Sequence, residues 1–497
     1  MNAKPDNATQ SSFRRIMKGT AIFGGTQLVN MAAGIVKGKL TAHIIGANGM
    51  GISSHLFSTL SPIQQLFTFG LTTSAVKTLS SLTNEEERSS YVKSFRRLML
   101  VLSLLALVCT LSGAWWLSIV TFQTSAHWYW FVTLAIAVFF LMLASAESTI
   151  LQGFRAISSL AICNTCAPLF GLFVAIPLYW QWGVEGIAPS MAILGFISWC
   201  TNRFFTWKLH IRPSTQSWRT TFAQGRSMLM LGGTIMVSGL LGALSAYLIN
   251  TFIGHYGSES DIGFYSAANT ITLQCTTMVF TAMGVDFFPH LSSIIHNRKD
   301  AQRLICQEGE TVLLLIVPIS LILITLAPLV IRILLTSEFD RITFLLRAMS
   351  VCLITRAICF PLDYICIARG DNKYFFWMEG VWSNLKTVAL IAGGYLLGGL
   401  DGIGIALLIG IVIEVSISII FNHYRYGISY SSGYYQLAGI LCLALLAGFA
   451  ASFITSDIVA YPLMALITLA TSIYAYYQID KRINIRNLIK QKFHARS

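Results

Sequence analysis

Charge is scarce in this chain of 497 residues, of which Asp, Glu, Lys and Arg make up only 11%, whereas a soluble globular domain carries about 25%. Acids are the scarcer sign, with 21 Asp and Glu against 34 Lys and Arg. Proline, the strongest helix breaker, occurs only 11 times, so long uninterrupted helices are permitted. Hydrophobic residues fill 55% of the sequence and the mean hydropathy is +0.66. So little charge cannot cover so much apolar surface in water, which excludes an ordinary soluble enzyme and makes lipid the solvent.

Crossing a hydrocarbon layer of about 30 Å by helix takes roughly 20 apolar residues. Runs of that kind fall at approximately 19–43, 53–77, 98–120, 129–150, 159–180, 186–207, 228–252, 263–286, 310–333, 344–366, 375–397, 402–422, 436–454 and 459–477. A spanning β-barrel would need short alternating segments instead. The predicted fold class is therefore an all-α integral membrane protein with about 14 transmembrane helices. Residues 1–18 are polar and end in Arg14, Arg15 and Lys18; the apolar run that follows is too long for a cleaved signal peptide and reads as an uncleaved first span.

A net charge of +13 raises the question of nucleic acid, and its placement answers it. With the N-terminus inside, one set of connections holds Arg88, Lys93, Arg96, Arg97, Arg155, Lys208, Arg212, Arg298, Lys299, Arg369, Arg425 and the tail from Lys481 to Arg496. The opposite connections hold almost none, except around Glu338 to Arg347. This positive-inside pattern places both termini in the cytoplasm and leaves no reason to invoke nucleic acid. The ten cysteines fall almost entirely inside spans, which argues against a secreted disulfide framework. Cys163 and Cys166 lie mid-span without acidic or His neighbours, and Asn7-Ala8-Thr9, a glycosylation pattern, falls on the cytoplasmic side. His43, His55, His127 and His255 stand in no metal-ligand or catalytic spacing. Neither a catalytic residue nor a metal site is expected.

The chain repeats itself. Ile45-Gly46-Ala47-Asn48-Gly49-Met50-Gly51 after the first span matches Ile253-Gly254 through Ile262-Gly263 after the seventh. Gly183-Val184-Glu185-Gly186 matches Gly399-Leu400-Asp401-Gly402, and Leu151-Gln152-Gly153-Phe154-Arg155 matches Ile367-Ala368-Arg369-Gly370-Asp371. Related spans differ by an even number, so this is a parallel repeat about an axis along the membrane normal. The same recurrence makes the glycines architectural rather than a nucleotide loop, which would need a preceding strand. The predicted organisation is a cytoplasmic N-terminus (1–18), a first six-helix lobe (19–210), a cytoplasmic linker (211–227), a second six-helix lobe (228–425), an appended transmembrane hairpin (426–480) and a basic tail (481–497).

Polar residues at helical spacing mark a water-facing or ligand-facing side. Ser54, Ser58, Ser61, Gln65, Thr68 and Thr72 share one face of the second span; Ser266, Thr270, Gln274, Thr277 and Thr281 do so in the eighth. Gln27, Asn30, Gly34, Lys37 and Thr41 line the first span. Single hydroxyls are equally at home in close helix packing; Gln27, Asn30, Gln65, Gln274 and Lys37 need partners for longer polar groups. Charges within spans cost about 2.5–3.5 kcal/mol each on an isolated helix. They are Lys37, Glu147, Asp286, Arg356, Asp363, Glu379, Lys386 and Glu414, with Lys39 placed to snorkel outward. Two readings stay open: neutralising pairs such as Arg356 or Lys386 with Glu414, or a site in which Lys37, Arg356 and Lys386 take an anionic ligand. In the second reading Glu147, Asp363, Glu414 or Asp286 takes a coupling proton or Na+.

The duplicated six spans, the appended pair, the Gly46-to-Gly51 turn, the Leu151-to-Arg155 loop and Phe288-Pro289-His290-Leu291-Ser292 together resemble the polysaccharide transporter family. This family belongs to the superfamily that includes multidrug and toxin extruders and lipid II flippases. The resemblance implies two six-helix lobes around a cavity that opens alternately to each side of a bacterial inner membrane. It implies a flippase for undecaprenyl-pyrophosphate-linked oligosaccharide in O-antigen, lipopolysaccharide, capsule or exopolysaccharide synthesis. Cationic cavity residues would meet the pyrophosphate, no cofactor beyond Na+ or H+ is implied, and membrane lipids, a polysaccharide polymerase and glycosyltransferases are the implied company. The competing functions are a multidrug or toxin exporter, a lipid II flippase and, more remotely, a membrane-embedded sugar polymerase or ligase. The appended pair counts against the exporter, and the shortness of the outer connections counts against the polymerase.

Overall fold

A computed structural model describes residues 7–82, 84–212 and 218–483, with side chains from Val29 onward except at scattered positions between 219 and 289 and at Asn372. The helices are α1 (Asn7–Thr68), α2 (Leu71–Ser81), α3 (Glu85–Ser112), α4 (Ala114–Phe122), α5 (Trp128–Gly153), α6 (Ile157–Trp182), α7 (Ile187–Trp207) and α8 (Trp218–Tyr256). They continue with α9 (Glu259–Ile294), α10 (Arg298–Leu334), α11 (Thr343–Ala368), α12 (Asn372–Phe375), α13 (Ser383–Tyr426), α14 (Ser432–Ala451) and α15 (Asp457–Ile483). No strand occurs among the described residues.

Nine stretches among the described residues are long and apolar enough to cross a membrane. Two of them, Ile157–Trp207 and Lys373–Tyr426, are 51 and 54 residues long and reverse at glycine turns, as α1 does at Gly46. Once these rods are divided at their turns, the helices follow the order of spans that the sequence predicts. One difference lies in the second span. Instead of running unbroken, it stops at Phe69 and Gly70, whose φ values are +47° and +64°, and resumes as α2.

The internal repeat is visible in backbone hydrogen bonds. At the end of α5, the Ala156 amide donates to the Leu151 carbonyl and the Arg155 amide to that of Gln152, each at 2.9 Å. At the end of α11, the Asp371 amide donates to Cys366 at 2.9 Å and the Gly370 amide to Ile367 at 3.1 Å. Both ends are the paired-carbonyl stop that a left-handed residue creates, formed by Arg155 at φ +55° and Gly370 at φ +69°. The structural register therefore aligns Arg155 with Gly370, one residue away from the sequence match. Gly183 (φ 56°, ψ −131°) and Gly399 (φ 59°, ψ −138°) turn their hairpins in the same conformation, which only a residue without Cβ adopts freely.

By contacts the chain divides into two units, Met1–Gly263 and Phe264–Ser497. In the first, α5 packs along α3 and α7. One apolar cluster holds Leu56, Leu60, Phe131, Leu134 and Val138, and a second holds Leu71, Leu79, Phe95, Met99 and Ile150. Gly51 and Gly263, equivalent glycines of the repeat, meet so closely that a Cβ on either would strike the Glu259 or the Ala47 carbonyl. Beside this crossing, His55 is fully buried, with Nδ1 donating to the Glu259 carboxylate at 3.3 Å and Nε2 lying 3.2 Å from the Thr251 hydroxyl.

In the second unit α10 is central, with Leu313, Val317, Leu321 and Ile324 fully buried and with α11, α14 and α15 packed around it. Arg347, part of the basic exception noted in the sequence, donates to the carbonyls of Ile324 and Ser452 at 3.2 and 3.3 Å, tying α11 to α10 and to the end of α14. Leu443, Leu446, Leu466, Leu469 and Ile473 on α14 and α15 stay exposed. Such a face is at rest only in lipid.

Candidate functional site

Five charged side chains converge in the second unit. Arg356 and Asp363 come from α11, Glu379 from the π-helical turn Phe376–Trp382, and Lys386 and Glu414 from the two arms of α13. The carboxyl groups of Asp363 and Glu379 are within hydrogen-bonding reach of each other, with Arg356 and Glu414 in electrostatic range. Lys386 and Glu414 form an ion pair whose side chains are only 13% and 20% exposed. Arg356 is exposed, and its guanidinium lies over the Phe280 ring, 5.2 Å from the centroid. Three acids and two cations leave this group one negative charge over balance when all are ionised.

The π-helical turn explains how Glu379 reaches the others. Widening a helix by one residue rotates the following side chains and loosens the carbonyls from their usual donors. Asn384 makes up for it by donating to the carbonyls of Glu379 and Gly380 at 3.1 and 2.8 Å. Glu379 was visible in the sequence as an intramembrane charge, but nothing there assigned it a role. Its place in a π turn, facing Asp363, is what the sequence does not reveal.

In the first unit the arrangement is different. Glu147 is buried and accepts from Arg96 Nη2 at 2.6 Å and from the Thr206 hydroxyl at 2.6 Å, with Arg203 Nε 3.8 Å away. This acid is fully engaged in joining α3, α5 and α7. Lys37 is exposed and makes no ion pair among the described residues. Asn30 is half-buried, and its carbonyl oxygen has no partner among the described residues. Gln65 is exposed and lies against Gly239 of α8. Gln274 is half-buried on α9. The side chains of Gln27 and Asp286 lie outside the described residues.

The polar stripe of the second span proves mixed. Ser58 and Thr68 donate to carbonyls of their own helix, to His55 and Gln64 at 2.9 and 2.8 Å, a satisfaction that needs no ligand. Ser54 receives Asn250 of α8 at 3.2 Å. Thr72, beyond the break, opens into a cleft of about 490 Å³ that sequence reasoning missed. Among the described residues no group of three or more His, Cys, Asp and Glu could hold a metal ion, and all ten cysteines are free.

Comparison with known proteins bears on this geometry. The family model described as polysaccharide biosynthesis protein matches residues 40–343. Among solved structures, the lipid II flippase MurJ in an inward closed conformation is similar at a TM-score of 0.69 and 15% identity, covering 95% of this chain and 100% of its own. An inward-facing multidrug resistance MATE transporter of the MOP superfamily gives 0.68 and 13%, covering 81% and 94%. A MOP superfamily transporter from Pyrococcus furiosus, described as having a binding pocket of reversed polarity, gives 0.58 and 12%, covering 82% and 96%. No curated protein matches the sequence. At these identities the structures establish a shared fold.

Proposed function

Since the chain belongs to the polysaccharide biosynthesis protein family and has the fold of flippases and exporters, we propose that it is a flippase for undecaprenyl-pyrophosphate-linked oligosaccharide. It works by alternating access in a bacterial inner membrane, with both termini in the cytoplasm. The observation that carries this reading is that Lys37 and Arg356, both in stretches that the sequence predicts to span the membrane, are exposed and form no ion pair among the described residues. A cation at membrane depth that no carboxylate contacts directly is costly, and an anionic cargo lowers that cost. A cationic drug would meet it as like charge.

Asp363 and Glu379 face each other as a carboxyl pair, which suits a proton or Na+ taken up and released during the cycle. Lys386, paired with Glu414, holds the arms of α13 in register and is one step removed from cargo. Glu147 belongs to the scaffold. Lipid II flipping is the second reading, favoured by coverage: the lipid II flippase aligns over 95% of this chain, the multidrug transporter over 81%. Both readings share a polyprenyl pyrophosphate. They part at the sugars.

The test reconstitutes the full chain in vesicles carrying a fluorescent undecaprenyl-pyrophosphate oligosaccharide and follows its appearance on the opposite leaflet. Losing one charge-assisted contact should slow transfer by about tenfold or more in Lys37→Gln and in Arg356→Gln. Transfer at the wild-type rate in both variants would remove their role. Extrusion of a cationic dye without any lipid transfer would replace the proposal with the exporter.

A further inference from the structure

The cleft of about 490 Å³ in the first unit is lined mainly by polar side chains. From α2 come Thr72, Thr73, Val76 and Lys77; from α5 come Ser145, Ser148, Thr149 and Gln152. Five hydroxyls, one amide and one ammonium face the space, Val76 is its single apolar contributor, and no acid lines it. Its volume falls within the range of about 300–1,000 Å³ typical of small-molecule sites.

The lining follows from helix geometry. Positions 145, 148, 149 and 152 are spaced i, i+3, i+4 and i+7 and so form one face of α5, while Glu147 projects elsewhere, into its clasp with Arg96 and Thr206. The break at Phe69 and Gly70 starts α2 afresh, and its opening turns bring Thr72, Thr73 and Lys77 against that face. Thr149 spends its hydroxyl on the Ser145 carbonyl at 2.7 Å. The side chains of Thr72, Thr73, Ser145, Ser148, Gln152 and Lys77 make no hydrogen bond or ion pair among the described residues. A snorkelling lysine needs no such surround. A lysine, an amide and four idle hydroxyls facing one space are complementary to an anion that also carries hydroxyl groups.

We propose that this cleft between α2 and α5 is an entry site for the pyrophosphate and first sugar of the lipid-linked cargo, with Lys77 on the pyrophosphate and the α5 hydroxyls and Gln152 on the sugar. This rests on the flippase reading and adds a location to it. Gln152, at the α5 end of the cleft, precedes Arg155 by three residues, on the side that the charge pattern places in the cytoplasm, where cargo is loaded. Its lining includes neither Lys37 nor Arg356, so binding at entry and movement across the membrane are separable steps.

The experiment measures binding of undecaprenyl pyrophosphate to the full chain in nanodiscs of zwitterionic lipid, with inorganic pyrophosphate and phosphatidylglycerol as competitors. Lys77→Gln should weaken binding by about tenfold or more, Lys77→Arg should retain most of it, and the Ser145→Ala/Ser148→Ala pair should lose about threefold. Thermal unfolding and size-exclusion profiles matching the wild type establish that each variant folds. Inorganic pyrophosphate should compete weakly in the wild type and lose that competition in Lys77→Gln. Unchanged affinity in a folded Lys77→Gln overturns the site while leaving the flippase reading standing. No binding of undecaprenyl pyrophosphate by the wild type overturns both. Competition by phosphatidylglycerol as strong as by the pyrophosphate overturns the assignment in favour of a general anionic-lipid contact.

Discussion

Glu147 in the first unit and the Asp363–Glu379–Glu414 group in the second are both intramembrane acids, yet their surroundings differ in kind. Glu147 is 7% exposed at its side chain and has more donors than it needs: Arg96, Thr206 and a more distant Arg203. The second group has three carboxyls for two cations, one of which, Arg356, is turned to an aromatic ring instead. A satisfied buried acid is held in one arrangement, because every departure exposes an unpaired charge to low dielectric. An undersatisfied group has arrangements to exchange among. Under the proposed function, this difference separates a scaffold charge from a working one without reference to position in the bilayer.

The largest effect that could break this contrast is expected at Arg96. Replacing it with alanine leaves Glu147 buried with only Thr206 and the Arg203 contact at 3.8 Å, and removing one partner of a buried pair costs about 3–5 kcal/mol. Because Arg96 is 28% exposed, the lower end of that range is expected. Thermal unfolding of the purified chain should fall markedly for Arg96→Ala, and an Arg96→Met/Glu147→Met pair should recover much of the loss. An unchanged unfolding temperature in the single variant would place Glu147 with the working acids.

A smaller and differently shaped effect is expected at Lys386 and Glu414. Each single neutralisation, Lys386→Met or Glu414→Gln, should cost about 1–2 kcal/mol, since both side chains retain some exposure. The double variant should be less than additive in stability, as residues in contact are. If the pair only fixes the arms of α13, the double variant transports at nearly the wild-type rate; a loss of transport that persists in a stable double variant would move the pair into the working group.

Much of the fold was legible in the sequence because a bilayer imposes few rules, and apolar length, charge asymmetry and repeated turns report on them directly. The break at Phe69 and Gly70 was not, since a left-handed Phe carries no sequence signature. Glu147 reads as a lone acid in the sequence because its partner Arg96 lies on α3, in a stretch that the charge pattern assigns to a cytoplasmic connection. The cleft was missed for a related reason: Thr72, Thr73 and Lys77 sit in one span and Ser145, Ser148 and Gln152 in another. The α5 spacing of i, i+3, i+4 and i+7 is the one part of that signal a single helix carries. Glu379 meets Asp363 from within a π turn, a property of backbone register and not of composition.

The smallest effect sharpens the contrast at its exposed limit. Asp371 follows α11 and accepts from Arg425 Nη2 and from the Tyr426 hydroxyl, each at 3.1 Å. Partial desolvation pushes its carboxyl up, but these hydrogen bonds and the nearby guanidinium outweigh that push and hold it below the usual carboxylate range. A depressed carboxyl stabilises the folded chain above the unfolded value of about 3.9 and loses that contribution as pH falls through the folded value. Asp371→Asn should therefore lower the unfolding temperature slightly at neutral pH, by less than either buried pair. Wild type and variant should converge as the pH drops below about 4. A gap that persists in acid would mean that Asp371 acts through its hydrogen-bonding shape, which Asn partly keeps, and that charge is not what ranks these pairs.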